Sequence, residues 1–396
     1  CQSKGAGDDN FTTHFSTDIR FADCYSESPR GGKSTSSNCN CYEIDDGSSN
    51  VTISNCHARG GNDALEIKAH EYAPAPFNVY VNGFTAINST KGVSLHHSGW
   101  QINTDKTDTA WKANGGSYSA TYAETSTSAP SALRYTASPK LSDNGYSLHA
   151  HSVQLSNIRI FALTNKTLHK LDGSGDETSA TVEPEHALRI AGYRGVSIDN
   201  FSVFEGLPDR KYGATAVNGE MGTVFDYNGA DVASSDSDAL IHIRRSCRDI
   251  TFNNLLINGY WNQFARAVWI RRRTDANDQE QNNGSITFNG YTCIDGPLIA
   301  FEGDGSDETY WGSLTGYSIN QTQQIPTQAS EDPGIGSHFR AGTRKAIDVN
   351  SDLFQLGSGT VRGYPADRSM DYQTWPLHVM NEASATTDET IAVDHE

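Results

Sequence analysis

The chain has 396 residues, of which 30 are Lys or Arg and 48 are Asp or Glu, for a formal net charge of -18. That acidic balance repels a phosphate backbone and argues against general nucleic-acid binding, and no apolar run reaches the roughly 18 residues of a membrane-spanning helix. With 36 Gly, only 3 Met and 36 % hydrophobic residues, the composition disfavours long helices and favours a β-rich fold with many turns and a thin, repetitive core.

The chain opens at Cys1, as a processed lipoprotein would and as an arbitrarily placed start also would. Its seven cysteines are Cys1, Cys24, Cys39, Cys41, Cys56, Cys247 and Cys293. An odd count forbids complete pairing within the chain. The group from Cys24 to Cys56 is expected to carry a disulfide or two, as in an exported protein. Zinc on Cys39, Cys41, Cys56 and His57 is the weaker reading, because the usual two-residue gap between paired ligands is missing. Asp45-Asp46-Gly47-Ser48 could bind calcium or form a turn, and the turn is the better reading.

A short pattern then recurs: β-branched, polar, apolar, polar, Asn or Gly, apolar. It reads Val51-Thr52-Ile53-Ser54-Asn55-Cys56, then Val79 to Phe84, Val153 to Ile158, Val196 to Phe201, Ile250 to Leu255 and Ile286 to Tyr291. Its period of two predicts a short strand with one buried face, and the Asn or Gly suits a bend with positive φ. A second strand pattern lies between these copies: Ala64-Leu65-Glu66-Ile67-Lys68, Gly92-Val93-Ser94-Leu95-His96, Ala187-Leu188-Arg189-Ile190-Ala191, Leu240-Ile241-His242-Ile243-Arg244 and Ala267-Val268-Trp269-Ile270-Arg271.

Two or three short strands per unit, separated by Asn and Gly bends, predict the coils of a parallel β-helix, a solenoid in which stacking removes most sheet edges. A β-sandwich with coincidental Asn turns is the rival. Asn residues at equivalent bends are expected to form an internal amide ladder. Residues 98–144, 165–184 and 206–237 have little periodicity and read as loop insertions, which in a solenoid wall a binding cleft. The pattern fades after about residue 303. The chain therefore divides into 1–302, a β-helix with a cysteine-rich start, and 303–396, a cap or interaction segment with a β segment near Ala346-Ile347-Asp348-Val349 and a polar tail from Asn381.

In the second pattern the residues between buried apolar positions point outward. They form a column of Glu66 and Lys68, Ser94 and His96, Arg189, His242 and Arg244, then Trp269 and Arg271. A cationic stripe on so acidic a chain points to an extended anionic ligand, with Trp269 as a flat surface for a sugar ring. A row of solvated polar residues is the plainer alternative. An acidic polysaccharide suits the stripe better than nucleic acid. Elimination from a uronate needs its carboxylate neutralised, by Arg or by calcium, and a base to take the neighbouring proton. Arg189 and Arg244 would neutralise, His96 or His186 would be the base, and Lys68 and Arg271 would aid binding. His186 and Arg189, three apart, face opposite ways unless a bend precedes Ala187. Hydrolysis needs two carboxylates about 5 to 9 Å apart, for which the candidates are Asp63, Glu66, Glu71 and Glu185. No cofactor is demanded by these residues; calcium is the one metal the chemistry admits.

The stretch Gly60-Gly61-Asn62-Asp63-Ala64-Leu65-Glu66-Ile67-Lys68-Ala69-His70, with Ala73-Pro74-Ala75-Pro76-Phe77-Asn78-Val79, resembles the pectate-lyase-like right-handed β-helix of bacteriophage tailspikes. Glu185-His186-Ala187-Leu188-Arg189-Ile190 followed by Arg194 to Asn200 is similar to a coil of β-helical polysaccharide-degrading proteins. The resemblance covers roughly residues 15–300. It implies a capsule or exopolysaccharide depolymerase, usually a homotrimer, at a virion tail or a cell surface, cutting by elimination or by hydrolysis. The chain departs from the typical spike in lacking a virion-binding head and an obvious trimerisation domain. A non-catalytic glycan-binding adhesin or fibre on the same fold is the remaining alternative.

Overall fold

The computed structural model describes residues 1–29, 39–69, 75–97, 150–171, 177–182, 184–206, 239–244, 247–260, 264, 266–271, 273–274, 280–281, 284–297, 299–304, 312–322, 346–350, 354–363 and 377–379. Among them there is no helix. The strands form a 12-stranded sheet, a 10-stranded sheet and two small antiparallel pairs. Every pairing inside the two large sheets is parallel.

The chain visits the two sheets alternately. Ser49–Arg59 lies in the first and Asp63–Ala69 in the second. Phe77–Ile87, Ala150–Phe161, Tyr193–Phe204, Arg248–Asn258 and Gly284–Ile294 extend the first. Lys91–His97, His186–Ala191, Ala239–Arg244, Arg266–Arg271 and Ile299–Asp304 extend the second. The two strand patterns of the sequence are thus the two sheets, and each passage of the chain adds one strand to each.

The hexapeptide pattern acquires its meaning in the first sheet. Val51 and Ile53 are buried, and then Cys56 and Ala58. The alternation resets because Asn55 takes a φ of 50° and turns the strand within its length. In register with Asn55 lie Gly83, Asn157, Asn200, Asn254, Gly290 and Gly316, all with positive φ. The left-handed region costs most residues about 1–2 kcal/mol, and Asn and Gly the least. Asn254 donates to Asn200 Oδ1 at 3.2 Å, Asn200 to Asn157 at 3.2 Å and Asn157 to Asn82 at 2.9 Å. The last bond steps back one residue because Gly83 has no side chain, and a Cβ there would lie 2.8 Å from Asn55 Oδ1. The ladder is exposed and not internal as expected, since the reset turns apolar side chains inward and leaves the corner side chain in water.

Inside, side chains stack by register: Val81, Leu155, Ile198, Phe252 and Phe288 form one file, fully or almost fully buried. The Phe252 and Phe288 rings stack at 4.4 Å between centroids. Burying each such side chain is worth about 1.5–3 kcal/mol. Buried tyrosines tie the sheets across the interior, with Tyr193 donating to the Ile67 carbonyl at 3.1 Å and Tyr291 to the Ala300 carbonyl at 2.7 Å.

Three further expectations meet the structure here. All seven cysteines are free thiols, six of them buried, so no disulfide staples the start; apolar packing does that work, and burial pushes Cys247 up to about 11 and Cys293 up to about 12. Residues 165–184, read as loop, contain the antiparallel pair Lys166–Leu171 and Glu177–Val182. The segment from 303, read as a cap or interaction segment, supplies Gly312–Asn320 to the first sheet and, at the β segment expected near Ala346 to Val349, Ile347–Asn350 to the second. The insertions at 98–144 and 207–237 and the tail from Asn381 lie outside the described residues.

Candidate functional site

The second sheet carries a polar row at one register position. It runs Thr12, Glu43, Glu66, Ser94, Arg189, His242, Trp269, Glu302 and Asp348. A parallel row two residues on holds Lys68, His96, Ala191, Arg244 and Arg271. Successive members are one strand spacing apart, about 4.8 Å. The expected column is therefore present, but it is no open surface stripe: Glu66 is 5 % exposed, His242 1 %, Arg244 7 % and Trp269 8 %. Side chains stacked this closely pair with and cover one another.

The early part of the row is acidic. Asn40 Nδ2 donates to Glu43 Oε2 at 3.1 Å and to Glu66 Oε2 at 2.8 Å. Lys68 Nζ sits 2.7 Å from Glu43 Oε2 and 3.2 Å from Glu66 Oε2. Burial pulls the Lys68 ammonium down, but Glu66 and Glu43 outweigh it and hold it above its ordinary range. Thr12 Oγ1 donates to Glu43 Oε1 at 3.3 Å. Asp9 is pushed up to about 8 by burial and by Glu43. Beside this knot, His14 Nε2 lies 3.8 Å from Glu43 Oε1 and Nδ1 lies 3.5 Å from Asp45 Oδ2. Among the described residues this trio is the one group whose ligand atoms converge closely enough to hold a metal ion. The neighbouring Asp45-Asp46-Gly47-Ser48 is the turn, closed by Ser48 N–H on the Asp45 carbonyl at 3.2 Å.

At the middle of the row, Ser94 Oγ donates to Asp63 Oδ1 and lies 2.8 Å from His186 Nε2. All three residues are buried. Lys91 Nζ stands 3.6 Å from Asp63 Oδ2 and 3.2 Å from Glu185 Oε1. Glu185 Oε2 is 3.9 Å from His186 Nδ1 and 4.0 Å from Arg189 Nη1. Burial raises the Asp63 carboxyl while Lys91 opposes the rise. Burial, then Arg189 and Lys91, push the His186 imidazolium well below its ordinary value, so the ring is neutral. Since His186 reaches Ser94, the register partner of Arg189, both side chains work on one side of the sheet; the start of His186–Ala191 departs from the strict alternation that would have set them on opposite faces.

Beyond Arg189 the second row is cationic, with Arg244 and Arg271, while the first row passes through His242 and Trp269 to Glu302 and Asp348. The His242 and Trp269 rings stack at 5.0 Å with 6° between planes. The Arg266 and Arg271 guanidinium carbons lie 4.2 Å and 4.7 Å from the Trp269 ring centre. Trp269 is therefore no free platform for a sugar, because its faces serve His242 and the two guanidiniums. Arg266 Nε donates to Glu302 Oε2 at 2.5 Å. Burial, then Arg244, Arg189, Arg271 and Arg266, hold His242 neutral. The buried atoms Arg189 Nε and His242 Nε2 have no hydrogen-bond partner among the described residues.

Of the expected site residues, the structure brings Arg189, His242, Arg244, Trp269 and Arg271 together and sets His186 beside them. Glu66 and Lys68 are bound to one another in the acidic knot, not presented to a ligand. His96 is half-buried on the second row, in register with Lys68. Of the carboxylate candidates, Asp63 is engaged by Ser94, Glu185 is the more exposed, and Glu71 lies outside the described residues. Sequence reading missed Lys91 and Arg266, which precede the regular alternation, and the Asn40–Glu43 pair; Tyr42-Glu43-Ile44 is a three-residue copy of the second pattern, a signal that was there to find.

No protein-family model matches the chain. It is 42 % identical over 105 residues to the preneck appendage protein of Bacillus phage PZA and 41 % identical over 105 residues to the pre-neck appendage protein of Bacillus phage phi29. It is also 39 % identical over 111 residues to the putative phage-related protein YobO of Bacillus subtilis strain 168. These matches take in 26 % to 28 % of this chain and 12 % to 14 % of the relatives' own lengths. Among solved structures, the pre-mature bacteriophage phi29 gene product 12 shares the fold with a TM-score of 0.54 and 17 % identity, over 94 % of this chain and 36 % of that one. The N-terminal fragment of the same gene product gives 0.50 over 91 % of this chain and 44 % of that one.

Proposed function

We propose that this chain is the glycan-engaging part of a phage tail appendage, built as a right-handed parallel β-helix, that binds an acidic polysaccharide along the second sheet's polar row. The observation that carries the reading is the cluster about buried His242, with Arg189 in register beside it, Arg244 and Arg271 two residues on, and Arg266 on the Trp269 ring that stacks against it, in a chain of net charge -18. Charges so arranged favour an anionic ligand, and planar guanidiniums suit carboxylates. The unpartnered Arg189 Nε and His242 Nε2 add polar atoms that a ligand would satisfy. The similarity to phage appendage proteins supports a place at the virion tail, the repeated two-sheet path supports the β-helix, and a homotrimer is what the tailspike resemblance implies.

Cleavage by elimination is the activity we assign to the site, with Arg189 neutralising a uronate and His186 as base. Hydrolysis fits less well, because Glu66 is tied down by Asn40 and Lys68 and Asp63 is engaged by Ser94 and Lys91. Adhesion without cleavage is favoured by one observation, the burial of His186. Binding is tested by titrating the protein with acidic and neutral polysaccharides at low and high salt. Tight binding of the acidic glycans alone, weakened by salt and by Arg244→Ala, is expected; equal affinity for neutral glycans would refute the reading.

A further inference from the structure

We propose that Asp63, Ser94 and His186 form a proton relay, through which His186 takes a proton at Nδ1 without ever carrying a charge. The inference takes its catalytic role from the elimination reading, but the relay itself rests on hydrogen-bond directions. Ser94 has one hydroxyl proton, and it goes to Asp63 Oδ1. Ser94 Oγ must then accept at the other contact, so the 2.8 Å bond to His186 is donated by Nε2–H. Nδ1 therefore keeps its lone pair. It looks toward Glu185 Oε2, which at 3.9 Å is too far to be hydrogen-bonded. Lys91, 3.6 Å from Asp63 Oδ2, favours the Asp63 carboxylate against the burial that raises it, and the relay takes this direction as its resting state.

The arrangement answers a difficulty in using His186 as a base. A buried imidazolium beside Arg189 and Lys91 is strongly disfavoured, so a proton stored on the ring would be costly. In the relay none is stored. As Nδ1 takes the proton from the carbon next to the uronate carboxylate, Nε2–H passes to Ser94 Oγ and the Ser94 proton passes to Asp63 Oδ1. The C–H electron pair becomes the new double bond, and the glycosidic oxygen leaves with the C–O pair. That oxygen takes a proton from water, and the hydroxide so formed recovers the relayed proton through Nδ1 as the relay runs back. Burial raises the Asp63 carboxyl, which makes it a willing acceptor for the moment the proton resides there. A substrate reaches Nδ1 by displacing Glu185, the more exposed member of the group. Asp63 and Ser94 are positioning residues: they act through His186.

The test reads the imidazole directly, by two-bond proton–nitrogen NMR of protein labelled with nitrogen-15 in its histidines. The native His186 is expected as the Nε2–H tautomer. In Asp63→Asn the amide donates to Ser94, the hydroxyl turns to Nε2, and the ring is expected to flip to Nδ1–H. Ser94→Ala breaks the link and is expected to lose the single-tautomer signature, while Ser94→Thr keeps it, which covers the case of an Asp63 variant that does not fold. The same tautomer in the native protein and in Asp63→Asn, or an unchanged spectrum in Ser94→Ala, would overturn the relay. Where a glycan is cleaved, Asp63→Asn is expected to lower kcat by about 100-fold or more with KM unchanged. A tautomer switch in a protein that cleaves no glycan would uphold the relay and refute the elimination reading instead.

Discussion

Replacing Lys68 by Met keeps the length of the side chain and removes only its charge. In the native protein the ammonium lies 2.7 Å from Glu43 and 3.2 Å from Glu66, and both carboxylates are buried. Removing one partner of a buried ionic group leaves the other uncompensated, at a cost of about 3–5 kcal/mol. The sign of the pH dependence follows. Lys68 is held above its ordinary value, so its contribution is complete at and below neutral pH and is lost only as pH rises through that raised value. In Lys68→Met that contribution is gone while Asn40 still donates to both carboxylates, so the deficit is expected at full size from pH 6 to pH 8. Urea denaturation across that range measures it, and adding Glu66→Gln is expected to recover more than about 1 kcal/mol by coupling. A deficit under about 1 kcal/mol at pH 8 would refute the claim that this knot is structural and would return Glu66 to the list of catalytic carboxylates, with Glu43 beside it.

Asp9→Asn keeps an acceptor for the Asn40 N–H, which now reaches Asp9 Oδ1 at 2.7 Å, and removes the charge beside Glu43. Because Asp9 is raised from 3.8 to about 8, the folded state holds its proton more tightly, and native stability relative to this variant is expected to fall as pH rises from 4 to 8; parallel melting curves for the two would contradict it. At the exposed ladder, Asn200→Ala is expected to cost about 1–2 kcal/mol more than Asn200→Gly, since only Ala is strained at a φ of 55°, and equal urea midpoints would dismiss the strain argument. Thiol titration under native conditions is expected to find Cys1 alone reactive, and all seven cysteines in denaturant; fewer than seven in denaturant would mean that a disulfide has formed.

The repeated hexapeptide made the architecture legible, because each feature of a strand has a local cause. Val196 and Ile198 alternate, Asn200 tolerates the corner, and Phe201 re-enters the core. The amide ladder was legible too, but its side was not: whether Asn200 faces the interior depends on how the reset at the corner rotates the chain, which only the stacked strands decide. The polar row was readable from Glu66 to Arg271 as a period-two column. Its burial was not, since a column in sequence says nothing of what stacks beside it, and Trp269 looks like a platform until His242 and Arg266 are seen on its ring. The Asp63–Ser94–His186 chain joins residues 31 and 92 positions apart. Register brings them together, and no spacing rule along the sequence could have.

The most direct test of the proposed activity is product analysis with a panel of acidic polysaccharides, following the ultraviolet absorbance of unsaturated uronate together with reducing-end release, for the native protein and for Arg189→Ala. Both signals are expected to rise with the native protein, and neither with Arg189→Ala at unchanged folding. Reducing ends rising without absorbance would contradict elimination in favour of hydrolysis, and silence on every glycan that binds would leave an adhesin.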